Sequence, residues 1–414
     1  MTGGAAQALE RMDENLADLA ALSLEVLPRM LDEDSGLFSH KTVVRDGAYA
    51  NREPNVLYST VSLVGILAQA RRPADSVLPL GKAMDGAHRA VAGRGVPGEQ
   101  ANLVWASTLA GDGRGEAVLA KLAAVEPASR PSGELGQVLH GLVVGGEAYP
   151  AKRDEAMRAA AECAAELLRR FRPGADVFRA TPARRALPRR AMVESRFTHF
   201  ASQVYPLHGL AALHLATGDE PPAALARVAE RIVEAQGPLG QWWWLYSTRS
   251  RRVLEGYPVY SVHQDGMAFL GLMELERLGV GGFAEPLCLG LNWLAGANEL
   301  GIDMVDRDPP LINRCIQRRG SDADGPYGLS RGNFLGTIAR SLGPSPRRDR
   351  TDAAPDGLEV LRECRSYHLG WLLYADSLVH RAAAALRKGR SHVLGWMISV
   401  SSVAPGAAAV AGGG

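Results

Sequence analysis

The sequence predicts an all-α protein whose helices pair into six hairpins and close into an (α/α)6 toroid. Three observations predict it. Apolar residues recur at helical spacing along most of the chain. Strand signals are short and few, as in Asp176-Val-Phe-Arg and Arg252-Val-Leu. The connections between helices alternate between tight and long.

The first helix carries Leu16, Leu19, Leu22, Leu24, Leu27 and Leu31 among Glu, Asp and Ala, and the Asp34-Ser-Gly36 turn stops it. The same periodicity continues, placing about twelve helices at roughly 8–31, 56–70, 76–92, 98–111, 115–124, 132–145, 151–171, 199–216, 220–236, 264–278, 282–296 and 368–386. Connections after the even-numbered helices are tight, for example Gly111-Asp-Gly-Arg114, Thr217-Gly-Asp219 and Gly279-Val-Gly281. Those after the first, seventh, ninth and eleventh are long, about 32–55, 172–198, 237–263 and 297–367. Alternate connections of an antiparallel helical array lie at opposite ends, so all four long loops, with their minor strands, fall on one face. Loops of that length on a compact scaffold point to function.

The even-numbered helices also begin alike. Asn55-Val-Leu-Tyr58, Thr198-His-Phe-Ala201, Ser261-Val-His-Gln-Asp265 and Ser366-Tyr-His-Leu369 each open on polar and aromatic residues and then turn apolar. This is a weak internal repeat. Helices apolar on most sides suit an inner ring, and the Ala/Arg/Glu-rich odd helices suit an outer one. A single toroid domain over 1–390 follows, with a Gly/Ala-rich, poorly ordered tail at 391–414.

Composition narrows the function classes. The 414 residues carry 46 Lys+Arg against 45 Asp+Glu, a net charge of +1, which removes the electrostatic case for a nucleic-acid or acidic-membrane partner. The cysteines Cys163, Cys288, Cys315 and Cys364 have no paired spacing, so neither a disulfide framework nor a zinc ribbon is expected. The start, Met1-Thr-Gly-Gly-Ala-Ala-Gln-Ala-Leu-Glu-Arg11, lacks the basic and apolar stretches of a signal peptide. The apolar run Val393 to Val403 is too short to span a bilayer. The expectation is a cytoplasmic, soluble protein.

In this layout, over about residues 8–390, the chain resembles the six-hairpin glycosidase-like superfamily and the related toroids of polysaccharide lyases, sugar epimerases and terpenoid cyclases. The resemblance implies a pocket at the centre of the inner ring, aromatic-lined, with an acid among the inner-helix N-termini or loops. A toroid does not by itself choose a reaction.

The densest candidate stretch is Gly240-Gln-Trp-Trp-Trp-Leu-Tyr246 followed by Glu255-Gly-Tyr-Pro-Val-Tyr-Ser-Val-His-Gln-Asp-Gly-Met267. If extended, Trp242 and Trp244 share one face and Trp243 takes the other, which offers an indole platform for a sugar or simple packing surface. Asp265, at the start of an inner helix, is the first choice for a catalytic acid or base, and equally fits an N-terminal cap. His263 would share or tune its proton, and Glu255 is the candidate second carboxylate. Substrate contacts are expected from Trp242, Trp243, Trp244, Tyr257, Tyr260, Gln264, Arg196, His199, Tyr58, Tyr367 and His368. Arg196 could pair with a sugar carboxylate or with Glu194. Glu299, Asp303 and Asp306 read as a solvated acidic turn. Cys364 and His368, four apart, suggest one helix face but lack further ligands, so no metal and no cofactor is expected. The Arg-rich stretches 179–190 and 347–350 read as solvated loops.

The expected function is a carbohydrate-active enzyme of glycoside hydrolase, lyase or epimerase type. It would hold an oligosaccharide or glycoside in the central pocket by aromatic stacking and use carboxylate acid/base catalysis. A terpenoid-cyclase-like enzyme is the alternative, although Asp306-Arg-Asp308 and Asp322-Ala-Asp324 each lack the last acid of a DxDD motif. A non-catalytic sugar-binding toroid is the other. Oligomeric state is left open.

Overall fold

The computed structural model describes residues 3–69, 78–181, 195–321 and 357–388. Twelve helices lie among them: α1 (Gly3–Val26), α2 (Val56–Ala68), α3 (Leu80–Ala92), α4 (Pro97–Ala110), α5 (Gly115–Ala123), α6 (Ser132–Ala148), α7 (Arg153–Arg169), α8 (Ala201–Thr217), α9 (Ala223–Glu234), α10 (Ala268–Arg277), α11 (Ala284–Leu294) and α12 (Ser366–Arg387). One π-helical turn, His263–Met267, leads into α10. Local chemistry sets several of the ends. The Asn55 carboxamide accepts the Tyr58 N–H at 2.9 Å and caps α2. Pro97 opens α4, where a missing N–H costs nothing. Gly111 closes the same helix in the left-handed conformation, at φ +66°.

The even-numbered helices form the inner ring: α2 packs on α4, α4 on α6, α6 on α8, α8 on α10, α10 on α12, and α12 returns to α2. Burial separates the two layers. Eleven of the 14 residues of α4 are buried, against six of the 17 of outer helix α7. This is the (α/α)6 toroid read from the sequence.

Glycines make the seams of the inner ring. A Cβ on Gly65 of α2 would stand 2.1 Å from the Gly370 carbonyl of α12, and one on Gly370 would stand 2.7 Å from the Val61 carbonyl. Between α6 and α8 a Cβ on Gly209 would meet the Gly136 carbonyl at 2.4 Å. At these points backbone lies directly on backbone, and no side chain fits.

All the described strands lie in the four long connections. β1 (Thr42–Arg45) and β2 (Ala48–Asn51) form one hairpin, β3 (Phe171–Arg172) and β4 (Val177–Phe178) a second. β5 (Phe197–His199), β6 (Leu245–Ser247) and β7 (Val253–Glu255) make an antiparallel sheet. β8 (Val259–Tyr260) pairs with β11 (Cys315–Arg318), and β11 with β12 (Leu358–Leu361), while β9 (Val305–Arg307) and β10 (Pro310–Ile312) form a further hairpin. These pairings are more than ornament. The β5–β6 pair joins the loop after α7 to the loop after α9, β8–β11 joins the latter to the loop after α11, and a bridge from Thr42 to Cys364 ties in the loop after α1. A collar results over the end of the ring where the inner helices begin.

Two expectations change here. Cys364 is not on the helix of His368: it lies in the extended stretch before α12, with its backbone N–H and carbonyl paired to Thr42. The four-apart spacing therefore does not place the two on one helix face. The acidic turn is not simply solvated either. Glu299 is half-buried and accepts from the Tyr257 hydroxyl at 2.8 Å, the Gln241 amide at 3.0 Å and the Trp293 indole at 2.7 Å. Glu194, the Arg-rich stretches 182–190 and 347–350, Asp322, Asp324 and the 391–414 tail lie outside the described residues. Among those described, the four cysteines are free and buried, and no helix is long and apolar enough to cross a membrane.

The seams give a first test. Gly370→Ala should destabilise the fold by about 1–3 kcal/mol or more through overpacking. Gly81→Ala, where a Cβ meets nothing within 4 Å, should be neutral or stabilising. Urea midpoints of the two variants would check this, and equal midpoints would show that the ring is not closed at the glycines.

Candidate active site

A cavity of about 230 Å3 opens among the first turns of α2, α6, α8 and α12, at the collared end of the ring. Tyr58 comes from α2, Glu134 and Gln137 from α6, His199 from the end of β5, Ser202 and Tyr205 from α8, and Tyr367 from α12. Residues three apart on one helix share a face, which is why Glu134 with Gln137, and Ser202 with Tyr205, reach the same space. Tyr58 and Tyr367 touch, with ring centroids 4.4 Å apart, and His40 stacks behind Tyr58 at 5.1 Å. The Tyr205 hydroxyl accepts the Trp371 indole N–H at 3.0 Å, and its own hydrogen remains available to donate.

His199 is held by Ser202, whose hydroxyl lies 3.1 Å from Nε2 and 3.3 Å from Nδ1. Burial lowers the imidazole pKa to about 4, so the ring is neutral at neutral pH. Trp244 stacks on His199 at 5.4 Å and on His263 at 5.7 Å, both at 17° between planes, while Tyr260 meets Trp244 edge-on at 5.1 Å. His263 is fully enclosed, its Nδ1 has no partner, and burial pushes its pKa down to about 3.

Asp265 sits in the π-helical turn and has no exposed surface. It does not cap the helix: its carboxylate oxygens lie 2.7 and 2.9 Å from Nε2 of His368 on α12. Burial raises the Asp265 pKa, and the His368 ring works against that rise. Glu255 is also engaged, by the Arg318 guanidinium at 3.1 Å and the Tyr257 N–H at 3.3 Å.

The remaining expected residues scatter. Trp242 is fully buried against Phe200, with centroids 5.8 Å apart. Trp243 turns the other way and packs edge-on to Tyr257 at 6.0 Å. The Gln264 amide spans from the Gly240 carbonyl (2.9 Å) to the Trp242 N–H (3.3 Å), tying the tryptophan loop to the ring. Arg196 stands just before β5 with a buried, unpartnered Nε. Thus Tyr58, His199 and Tyr367 line the cavity. Trp244, His263 and Tyr260 back it through His199, and the Asp265–His368 pair lies deeper in the ring.

Sequence reading missed Glu134, Gln137, Ser202 and Tyr205. The start of α6, Ser132-Gly-Glu-Leu-Gly-Gln137, occupies the same position in its hairpin as the four starts that were compared. That positional equivalence was the available signal. Below the cavity the ring centre is also aromatic and polar: His140 and His208 stack at 4.0 Å, with Trp105 4.1 Å from His140. A wider hollow of about 540 Å3, beside Leu78, Met84, Asp112 and Arg114, lies at the tight-turn end and contains none of the expected site residues.

No protein-family model matches the sequence, and no curated protein sequence does. Solved structures do. The cellobiose 2-epimerase from Spirochaeta thermophila aligns over 80% of this chain and 97% of its own, with a TM-score of 0.55 and 14% identity. A glycosidase variant in complex with glucose aligns over 89% of this chain and 98% of its own, with a TM-score of 0.50 and 14% identity. These likenesses show the fold alone, an (α/α)6 toroid.

The buried imidazoles fix a pH dependence. His140 and His263 are held near 3, and His208 well below its ordinary value, each by burial. The unfolded chain takes up their protons below about pH 6.5 while the folded chain does not, so stability is complete above that pH and falls as pH drops. The slope is about 1.4 kcal/mol per pH unit per histidine. Urea unfolding between pH 7.5 and 5 should show this loss, and His208→Phe should lessen it. Unchanged stability over that window would contradict the assignment.

Proposed function

We propose that the chain is a carbohydrate-active enzyme that binds a single sugar ring in the α2/α6/α8/α12 cavity and moves a proton on it, as an epimerase or a lyase does. The observation that carries this reading is the make-up of the cavity wall. Among the described residues, Glu134 is the one carboxylate lining it, alongside a neutral His199 and three tyrosines. Hydrolysis by two carboxylates requires both beside the scissile bond, whereas Asp265 is taken up by His368 and Glu255 by Arg318. A volume of about 230 Å3 lies below the usual range of about 300–1,000 Å3 for larger ligands and suits one ring rather than a chain.

In this reading Tyr58 and Tyr367 offer ring faces to the apolar C–H face of the sugar. His199, held by Ser202 and Trp244 in its proton-accepting form, takes a proton from the carbon beside the carbonyl of the ring-opened sugar. The electron pair passes to the carbonyl oxygen as an enediolate, and return of a proton to that carbon gives the epimer. The Tyr205 hydroxyl donates to a sugar oxygen. Asp265, His368 and His263 act behind this wall by fixing the start of α10 against α12. The names of the structural neighbours, an epimerase and a glycosidase solved with glucose, support sugar as the substrate class. The proposed setting is cytoplasmic, in accord with four unpaired cysteines.

Incubation with free mono- and disaccharides in D2O tests the reading. NMR should show solvent deuterium entering a C–H position beside the carbonyl, and His199→Gln should slow that exchange by about a hundredfold or more. Release of a reducing sugar without C–H exchange, or an unaffected His199→Gln variant, would overturn it. Sugar binding without turnover would instead favour the non-catalytic toroid.

A further inference from the structure

Resting on that reading, we propose that the sugar carries a protonated amine, bound by the Glu134 carboxylate beside the rings of Tyr58, Tyr205 and Tyr367. The charge of the cavity is the first ground. Among the described residues, neither Lys nor Arg lines it. His199 is neutral, and burial pushes the Tyr205 and Tyr367 hydroxyls above their usual range, so they stay protonated. Among the described lining residues Glu134 is left as the one carboxylate, with no cationic side chain beside it.

The second ground is how Glu134 is held. Its partner among the described residues is the Gly98 N–H in the first turn of α4, which donates to Oε1 at 3.3 Å. That is long for a hydrogen bond to a carboxylate, where about 2.7–2.9 Å is usual. Among the described residues the other oxygen has no donor, and no cation pairs with the group. The more deeply buried Glu166, Glu274 and Glu363 are matched with cations, Arg170, Arg277, and Arg314 with Arg365. Half-buried Glu299 is instead held by three side-chain donors, and half-buried Glu134 has neither kind of partner among the described residues. Gly98 also leaves room for the site, since a Cβ there would stand 2.9 Å from Oε1 of Gln137 and 3.5 Å from Cγ of Glu134.

The aromatic wall favours the same ligand. Tyrosine faces attract an ammonium group and do nothing for a carboxylate. An acidic sugar would set a second negative charge beside Glu134 without a compensating cation, which is the repulsive half of a specificity device. A neutral sugar would meet no such penalty but would leave the carboxylate with hydroxyl donors alone.

Calorimetric titration of the full chain at neutral pH tests this with glucosamine, galactosamine and mannosamine. Each is compared with the corresponding hydroxyl sugar, the N-acetyl sugar and glucuronate. The preferred amine should bind about ten- to a hundredfold tighter than its hydroxyl counterpart, the worth of one charge-assisted hydrogen bond. N-acetylation should erase the advantage. Glu134→Gln should abolish the preference, so that the amine and the hydroxyl sugar bind the variant with equal affinity. Glu134→Asp, which keeps the charge, should retain a preference; if Glu134→Gln lowers the unfolding midpoint, the Asp variant decides. Equal affinity for amine and hydroxyl sugars, or tightest binding of glucuronate, overturns the inference while the sugar reading stands. Failure of every sugar to bind overturns both.

Discussion

The structure depends on the backbone contacts between inner helices. Where Gly65 meets Gly370 and Gly136 meets Gly209, the helices approach until backbone touches backbone. A larger residue at any of these points would push two inner helices apart and open the ring. Close approach also determines what the ring can hold at its centre. Flat rings such as Trp105, His140, His208 and Trp371 fill space along the axis, and the small cavity lies at the end where the inner helices begin.

From that constraint the chemistry follows. Six inner helices running in one sense place their first turns, with unsatisfied N–H groups, at the same end of the molecule. The long loops reach that end too, and their strand pairs hold His199 and Trp244 across from Tyr58 and Tyr367. Enclosure then sets the electrostatics. His199, His140 and His263 lose their charge, Tyr205 and Tyr367 keep their protons, and the buried Asp265, Glu166 and Glu274 are matched with His368, Arg170 and Arg277. Glu134 stands apart because its helix turn faces the cavity and not another charged chain.

Much of the architecture was legible in the sequence because it resides in local patterns. Alternating tight and long connections encode which end each loop occupies, and helical periodicity encodes twelve helices. The shared starts of α2, α8, α10 and α12 pointed to Tyr58, His199, His263, Tyr367 and His368. Pairings across the ring left no such trace. Asp265 and His368 lie 103 residues apart, and nothing near either one announces the other. Asp265 therefore read as a catalytic acid or base or a helix cap, with nothing to show that its buried carboxyl is hydrogen-bonded to His368. The Trp242-Trp243-Trp244 run drew attention by composition, yet two of its members are core residues, and Trp244 stands behind the cavity, stacked on His199. Glu134 was passed over for the converse reason: an acidic residue in a first turn is what any helix start favours. Its role depends on the space beside Gly98, which only the packed ring reveals.

The most direct measurement is the structure of a complex with a bound sugar. One ring should occupy the cavity between Tyr58 and Tyr367, with a ring substituent at Glu134 and His199 within hydrogen-bond distance of the sugar. A sugar seated instead in the hollow beside Leu78, Met84 and Arg114, or on the collar away from His199, would contradict the account.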